Sequence, residues 1–157
     1  MDMKSNGGLQ NEDCEKAAAL SASAIMTDSP DSLFPQTVVS IAGMQVIQAS
    51  GELFNHVDGG LPMWASHDDR LVRVEITFQA TFAEPPAINL GLVGIDSAHD
   101  QNLRFRLRAA DVTPRGFAIE FSTWGDTHIA RASVSWQAIG EAQTKPAPGK
   151  AVGRNEK

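Results

Sequence analysis

The 157 residues contain one cysteine, Cys14, so no internal disulfide can form and a four-cysteine zinc site is excluded. No apolar run approaches the roughly 20 residues that a membrane-spanning helix needs. There is no basic excess either: the net charge is −6, which argues against nucleic acid or any other phosphate-backbone partner. The start, Met1-Asp2-Met3-Lys4, carries one base, and Glu12, Asp13 and Glu15 precede the only alanine-rich stretch. The basic-then-apolar order of an export signal is absent, so Sec export is not expected and localisation stays unassigned. His56, His67, His99 and His128 do not fall at metal-ligand spacings, and no metal or cofactor is expected. Asp58-Gly59-Gly60 has no Lys-Ser/Thr after it and reads as a turn rather than a phosphate cradle. No nucleophile elbow stands in the chain, and Cys14, in a polar arm, is a poor nucleophile, so catalysis is not expected.

What is present is a balanced composition, 42% hydrophobic and 20% charged, of a length that suits one domain. Residues 1–37 are small, polar and acidic. Within them Lys16–Met26 has the composition of a short helix capped by Asn11 or Asp13, too short to persist alone in water. Residues 141–157 hold Pro146, Pro148, Gly149 and Gly153 among polar residues and read as a disordered tail. Neither end is expected to contribute core, which leaves residues 38–140 as the domain.

That middle region alternates with period two, as half-buried strands do. Val72, Val74, Ile76 and Phe78 alternate with Arg73, Glu75 and Thr77. Leu103, Phe105 and Leu107 alternate with Arg104, Arg106 and Arg108. Phe117, Ile119 and Phe121 form a third set, and Ala132, Val134 and Trp136 a fourth. Shorter strands are expected near 38–41, 45–50 and 87–93, with turns at Pro85-Pro86, Thr113–Gly116 and Gly125–Thr127. The pattern predicts an all-β, six-stranded antiparallel β-sandwich.

Apolar faces must coincide when strands pair. A fold-back near residue 113 therefore sets Phe105 opposite Phe121 and Leu107 opposite Ile119. A second, around 125–128, sets Phe121 opposite Ala132, Ile119 opposite Val134 and Phe117 opposite Trp136. Trp136 and Phe117 are core by this reading, and Trp64 is a packing residue. The other face carries Arg104, Arg106, Arg108, Arg131 and Glu120, with Trp124 outward at a strand end and Arg104 its diagonal neighbour. An indole plate suits the C–H face of a sugar ring, and a guanidinium fork suits its hydroxyls. Asp126, Asp68 and Asp69 are candidate carboxylates to accept from those hydroxyls. Without a ligand, the same pair reads as a cation–π contact or a subunit contact.

The ordered residues Ser50-Gly51, Trp64, Ile76-Thr77-Phe78, Pro85-Pro86, Asp96, Gln101-Asn102-Leu103-Arg104, Gly116-Phe117, Thr123-Trp124 and Ser135-Trp136 resemble the H-type lectin domain over residues 46–140. The resemblance implies a β-sandwich that forms trimers, sometimes paired into hexamers. It also implies metal-free binding of galactose-type sugars, especially N-acetylgalactosamine, between protomers. It puts Arg104 at the family's sugar-binding arginine and Trp124 at its binding-site tryptophan. His67 falls where the snail members have a sugar-binding aspartate, with Asp68 adjacent, and Asp68 is taken as that acid. Gly125 replaces a histidine and Ala130 a tyrosine of those members, with Asp126 or His128 as compensating residues. The sugar-site residues are thus Arg104, Trp124, Asp68, Gly125 and Asp126. The expected function is a glycan-binding homotrimer, displayed through its N-terminal arm on a larger particle such as a phage tail or spike. The alternative is an assembly trimer with a degenerate sugar site. Only scattered carboxylates speak for a glycosidase or esterase.

Overall fold

The computed structural model describes residues 34–144. The short helix expected over 16–26, most of the N-terminal arm and the end of the tail lie outside these residues. Among the described residues, seven strands and one short helix follow in order. They are β1 (Thr37–Ile41), β2 (Met44–Asn55), α1 (Pro62–Ala65), β3 (Arg70–Thr77), β4 (Ala87–Ser97), β5 (Phe105–Thr113), β6 (Gly116–Thr123) and β7 (Ile129–Glu141). They make the expected antiparallel sandwich; the short, exposed β1 is the segment expected near 38–41, and counting it gives seven strands where six were expected. A four-stranded sheet in the order β1-β2-β7-β4 packs on a three-stranded sheet in the order β3-β6-β5.

The core lies between the sheets and is built from the alternating inward residues. Val72 and Ile76 of β3, and Phe117, Ile119 and Phe121 of β6, meet Ile47, Val134, Trp136 and Ala138 from the other sheet. Phe117 and Trp136 meet edge-on, with ring centroids 5.3 Å apart, and Phe105 stacks on Phe121 at 5.4 Å. In β2 a bulge between Glu52 and Phe54 turns two consecutive residues, Leu53 and Phe54, inward. Simple alternation ends there, which is why the sequence pattern stops short of the 12-residue strand.

The β5–β6 hairpin pairs Phe105 with Thr123, Leu107 with Phe121 and Ala109 with Ile119, two residues away from the expected register. Its tight end is Thr113 opposite Gly116, an arrangement of odd against even positions. A register shift between Ala110 and Thr113, where Asp111 has φ 49°, restores odd against odd. All apolar side chains then stay on one face, since a single-residue slip would have sent them outward. Gly116 is required at that end, because a Cβ there would stand 2.1 Å from the Ile76 carbonyl oxygen.

Three expectations are corrected. β6 and β7 do not pair: β6 lies between β3 and β5, and β7 between β2 and β4. Residues 124–128 form an arch from one sheet to the other, and Phe117 and Trp136 meet across the sandwich instead of along a hairpin. Period-two patterning brings the same apolar faces together in either arrangement, so it cannot tell a hairpin from an arch. Second, Phe34 is 1% exposed within the core, and the Gln36 side chain donates to the Thr77 carbonyl (2.7 Å) and accepts from the Gln79 amide (3.0 Å). The core therefore begins before residue 38. Third, the outward arginines do not form one unmatched cluster on a single face, although exposed Arg106 has no carboxylate partner among the described residues. Glu120 accepts from both Arg73 (2.5 Å) and Arg108 (2.6 Å) within the chain, Arg104 pairs with Asp126, and Arg131 lies on the other sheet, 4.0 Å from Asp96.

Candidate functional site

Three loops meet at one end of the sandwich: residues 66–69 before β3, 101–104 before β5, and the arch after β6. Buried Thr127 ties two of them. Its hydroxyl donates to the Asn102 carbonyl (2.7 Å) and accepts from the Arg104 amide (3.2 Å). The Thr123 hydroxyl donates to the Arg104 carbonyl at 2.5 Å, and Gln101 makes a two-way pair with the His128 backbone, at 2.8 and 2.7 Å. Arg104 is thereby fixed at its backbone before its side chain makes any contact.

The third loop is tied through Gly125. Its carbonyl accepts from the Asp68 amide (3.0 Å) and from Arg70 Nη2 (3.1 Å). Arg70 also donates to the carbonyls of Asp68 (2.9 Å) and Ser66. Only 7% of Arg70 is exposed. Burial lowers its proton affinity and nearby Asp68 and Asp69 raise it, and a guanidinium stays charged throughout the ordinary pH range. This tie was not foreseen, although Arg70 shares the inward parity of Val72, where a charged residue signals a structural task. Gly125 has φ +65°, a left-handed conformation that glycine adopts without a Cβ penalty, and a Cβ there would stand 3.5 Å from Arg104 Nη1.

Of the predicted residues, Arg104, Gly125 and Asp126 come together directly. Arg104 Nη1 donates to Asp126 Oδ1. That hydrogen bond, first, holds the Asp126 carboxyl below its ordinary range. The other guanidinium nitrogens of Arg104 have no partner among the described residues. Trp124 and Arg104 take the next positions beyond the Phe105–Thr123 pair, opposite each other rather than diagonal. Trp124 is 39% exposed. Asp68 adopts φ +65° and is bound to the site through its amide, its carboxylate being exposed. The acids that share a groove with Trp124 are Asp69 and Glu120, not Asp68. His67 packs on His128 with ring centroids 4.8 Å apart, while His128 Nδ1 contacts the Trp64 carbonyl at 2.5 Å. Ala130, in the place of the expected tyrosine, is 4% exposed in β7, so no large ring projects from it. His56 is buried, which lowers its pKa below the ordinary histidine value, and its Nδ1 accepts from the Met63 amide (3.1 Å) at the start of α1.

An antiparallel sandwich with a loop-built set of indole, guanidinium and carboxylate at one end has the form of a carbohydrate-binding domain. The sequence model of the H-type lectin domain matches residues 73–139, from β3 to β7, and the chain belongs to that family. A protein of Fuscovulum blasticum named "ATP synthase subunits region ORF 7" is 40% identical over 102 residues, covering 65% of this chain and 89% of that protein. Two structures of discoidin II from Dictyostelium discoideum, one of the recombinant and one of the wild-type protein, share the fold. Each is 18% identical with a TM-score of 0.56, covering 68% and 67% of this chain and 41% and 40% of discoidin II. The chain thus spans about two fifths of that lectin. The family match begins later than the resemblance over 46–140 and leaves Asp68 outside it.

Proposed function

We propose that this carbohydrate-binding module recognises terminal galactose or N-acetylgalactosamine. Trp124 supplies the plate for the apolar sugar face, and Arg104, held at one corner by Asp126, turns its free donors to the hydroxyls. The observation that carries this reading is exposed Trp124 at the position opposite Arg104, whose backbone is held by Thr123 and Thr127 and whose guanidinium is held by Asp126. Asp68 or Asp69 accepts from a hydroxyl, and Gly125 acts through its backbone. A shallow site of this kind binds weakly in one copy, so useful avidity comes from several copies together. A homotrimer, with sites between protomers, follows from the family resemblance. Display on a larger particle such as a phage tail or spike through residues 1–37 belongs to the same proposal and rests on the sequence of that arm.

Glycan-array binding of the full chain is the test. Trp124→Ala and Arg104→Ala each should lose at least about tenfold in affinity, the loss expected for one stacking or one charged contact, while the melting temperature holds. A wild type that binds no glycan, or two variants that bind like wild type, would overturn it. A second reading, an assembly module without a working sugar site, is favoured by one observation. The outer face of the four-stranded sheet carries an exposed apolar row, with Val39 45% and Ile139 40% exposed. That reading predicts oligomers by light scattering together with a blank array.

A further inference from the structure

The groove that begins at Trp124 does not end there. It continues over the outer face of the three-stranded sheet as a depression of about 480 Å³ lined by Asp69, Leu71, Arg106, Arg108, Ser122 and Trp124 among others. Strand pairing sets out its floor in rows. Beyond Trp124 comes Leu71–Ser122–Arg106, and beyond that Arg73–Glu120–Arg108. Ser122 is the smallest residue of its row, so the middle of the face dips between Leu71 and Arg106. At about 3.3–3.4 Å per residue along a strand, this dip lies roughly 7 Å from the Trp124 position.

The charges along the groove are unevenly matched. Glu120 accepts from Arg73 and Arg108 at both oxygens, the Arg108 contacts being 2.5 and 2.6 Å, so this acid is neutralised and does not repel an incoming anion. Arg73 is further held by Glu75 and Asp111, and Arg104 by Asp126. Arg106 stands on the same face, exposed, with no carboxylate partner among the described residues. Arg70, at the groove's end, spends its donors on neutral carbonyls. In a chain of net charge −6, the groove beside the indole therefore holds one cation, Arg106, that its own acids do not match. Asp69, on the β3 side, gives the groove a direction.

We infer that the row of Ser122 and Arg106 is a second subsite, taking an oxyanion, carboxylate or sulfate, carried by a glycan whose sugar stacks on Trp124. Arg106 binds the oxyanion through its guanidinium fork, a geometry that matches two oxygens at once. The Ser122 hydroxyl completes the floor, and Asp69 turns the anion toward the β5 side. The inference rests on the sugar-site reading above and narrows its ligand to acidic glycans.

Binding of the full chain to three matched disaccharides tests it by calorimetry: one neutral galactoside, its uronate-bearing counterpart and its sulfated counterpart. At low salt the wild type should bind at least one of the two acidic sugars about tenfold tighter than the neutral one, and the advantage should shrink as salt rises. Which of the two is preferred identifies the oxyanion. Arg106→Ala should erase the preference while leaving affinity for the neutral sugar and the melting temperature unchanged, and Arg106→Lys should recover only part of it. Equal wild-type affinity for all three sugars, or a preference that survives Arg106→Ala, overturns this inference and leaves the sugar site standing. Failure to bind any of the three overturns both.

Discussion

The two sheets share one core yet present opposite outer faces. The three-stranded sheet turns out arginines and acids, with Arg73, Arg108 and Glu120 in one row and Arg106 in the next. The middle of the four-stranded sheet turns out a ladder without charge, with Glu52, Asp96 and Arg131 confined to one end. Thr37, Gln48, Gln137 and Asn89 stand in register, beside Ser50, Ser135 and Gly91. Next to them runs the row Val39–Val46–Ile139–Ala87. Ile41 (72% exposed) and Met44 (49% exposed) extend it at the β1–β2 turn. Inward packing is satisfied equally by both, so the difference is not a requirement of the fold. A face of fixed charges selects among ligands, whereas an uncharged, partly apolar face suits burial against another surface.

Breaking the charged face should have the largest effect on stability. Glu120 is 8% exposed and holds two guanidinium groups. Glu120→Ala leaves both without their shared acid. Removing one member of a buried ion cluster costs about 3–5 kcal/mol, and the partial exposure of the two arginines reduces this to about 2 kcal/mol. The melting temperature should fall by about 8 °C for a domain of this size. A fall of less than 2–3 °C, roughly 0.5 kcal/mol on the same scale, would show that the row is decorative.

Acid should weaken the same face more gently. Burial pushes the Glu120 carboxyl upward, but the hydrogen bonds from Arg108 and Arg73 pull harder, and the net shift is below the ordinary value of 4.5. A depressed folded-state value means that the carboxylate contributes stability above 4.5, lost as pH falls through the lowered value. Wild-type stability should therefore decline below pH 4.5, with a flatter profile for Glu120→Gln. Matching profiles would remove Glu120 from the acid response. Arg73 stays charged throughout, its proton held by the bonds to Asp111 and Glu120.

The residues themselves show why these faces were only half legible. Alternation in Val72–Phe78, Phe117–Phe121 and Ala132–Trp136 reveals strands and their inward sides, because burial repeats every second residue. It also placed Arg104, Arg106 and Arg108 outward. It says nothing about which strand lies beside which, so the partnership of Arg73 with Glu120, 47 residues apart, was invisible, and the arginines looked unmatched. The arch at 124–128 was hidden for the same reason. At the site, Gly125 and Asp126 could be found because they follow a recognisable Thr123-Trp124 pair, and Arg104 because it ends the run Gln101-Asn102-Leu103-Arg104. Arg70 could not, because its work is done through the carbonyls of Ser66, Asp68 and Gly125, and backbone acceptors leave no mark on side-chain patterns. Phe34 was missed because one buried ring in a polar arm has no periodicity to announce it.

The uncharged face should give the smallest change in stability and the clearest test of its purpose. Gln137 donates to Gln48 at 3.0 Å on an exposed surface, so Gln137→Ala should cost under about 0.5 kcal/mol. Ile139→Glu goes to the apolar row itself. Ile139 is 40% exposed and lies between Val46 and Ala87, so a carboxylate there meets water and no acid in its own row. The melting temperature of an isolated protomer should move by no more than about 2 °C, well under 1 kcal/mol. If the face is buried between copies, the same substitution places an unpaired charge in that interface, a cost of several kcal/mol. Light scattering should then show the assembled mass falling to that of one chain, with the avidity for multivalent glycan lost. An assembled mass that Ile139→Glu leaves untouched would remove this face from the interface. Self-association through the charged sheet would instead compete with the acidic-glycan groove.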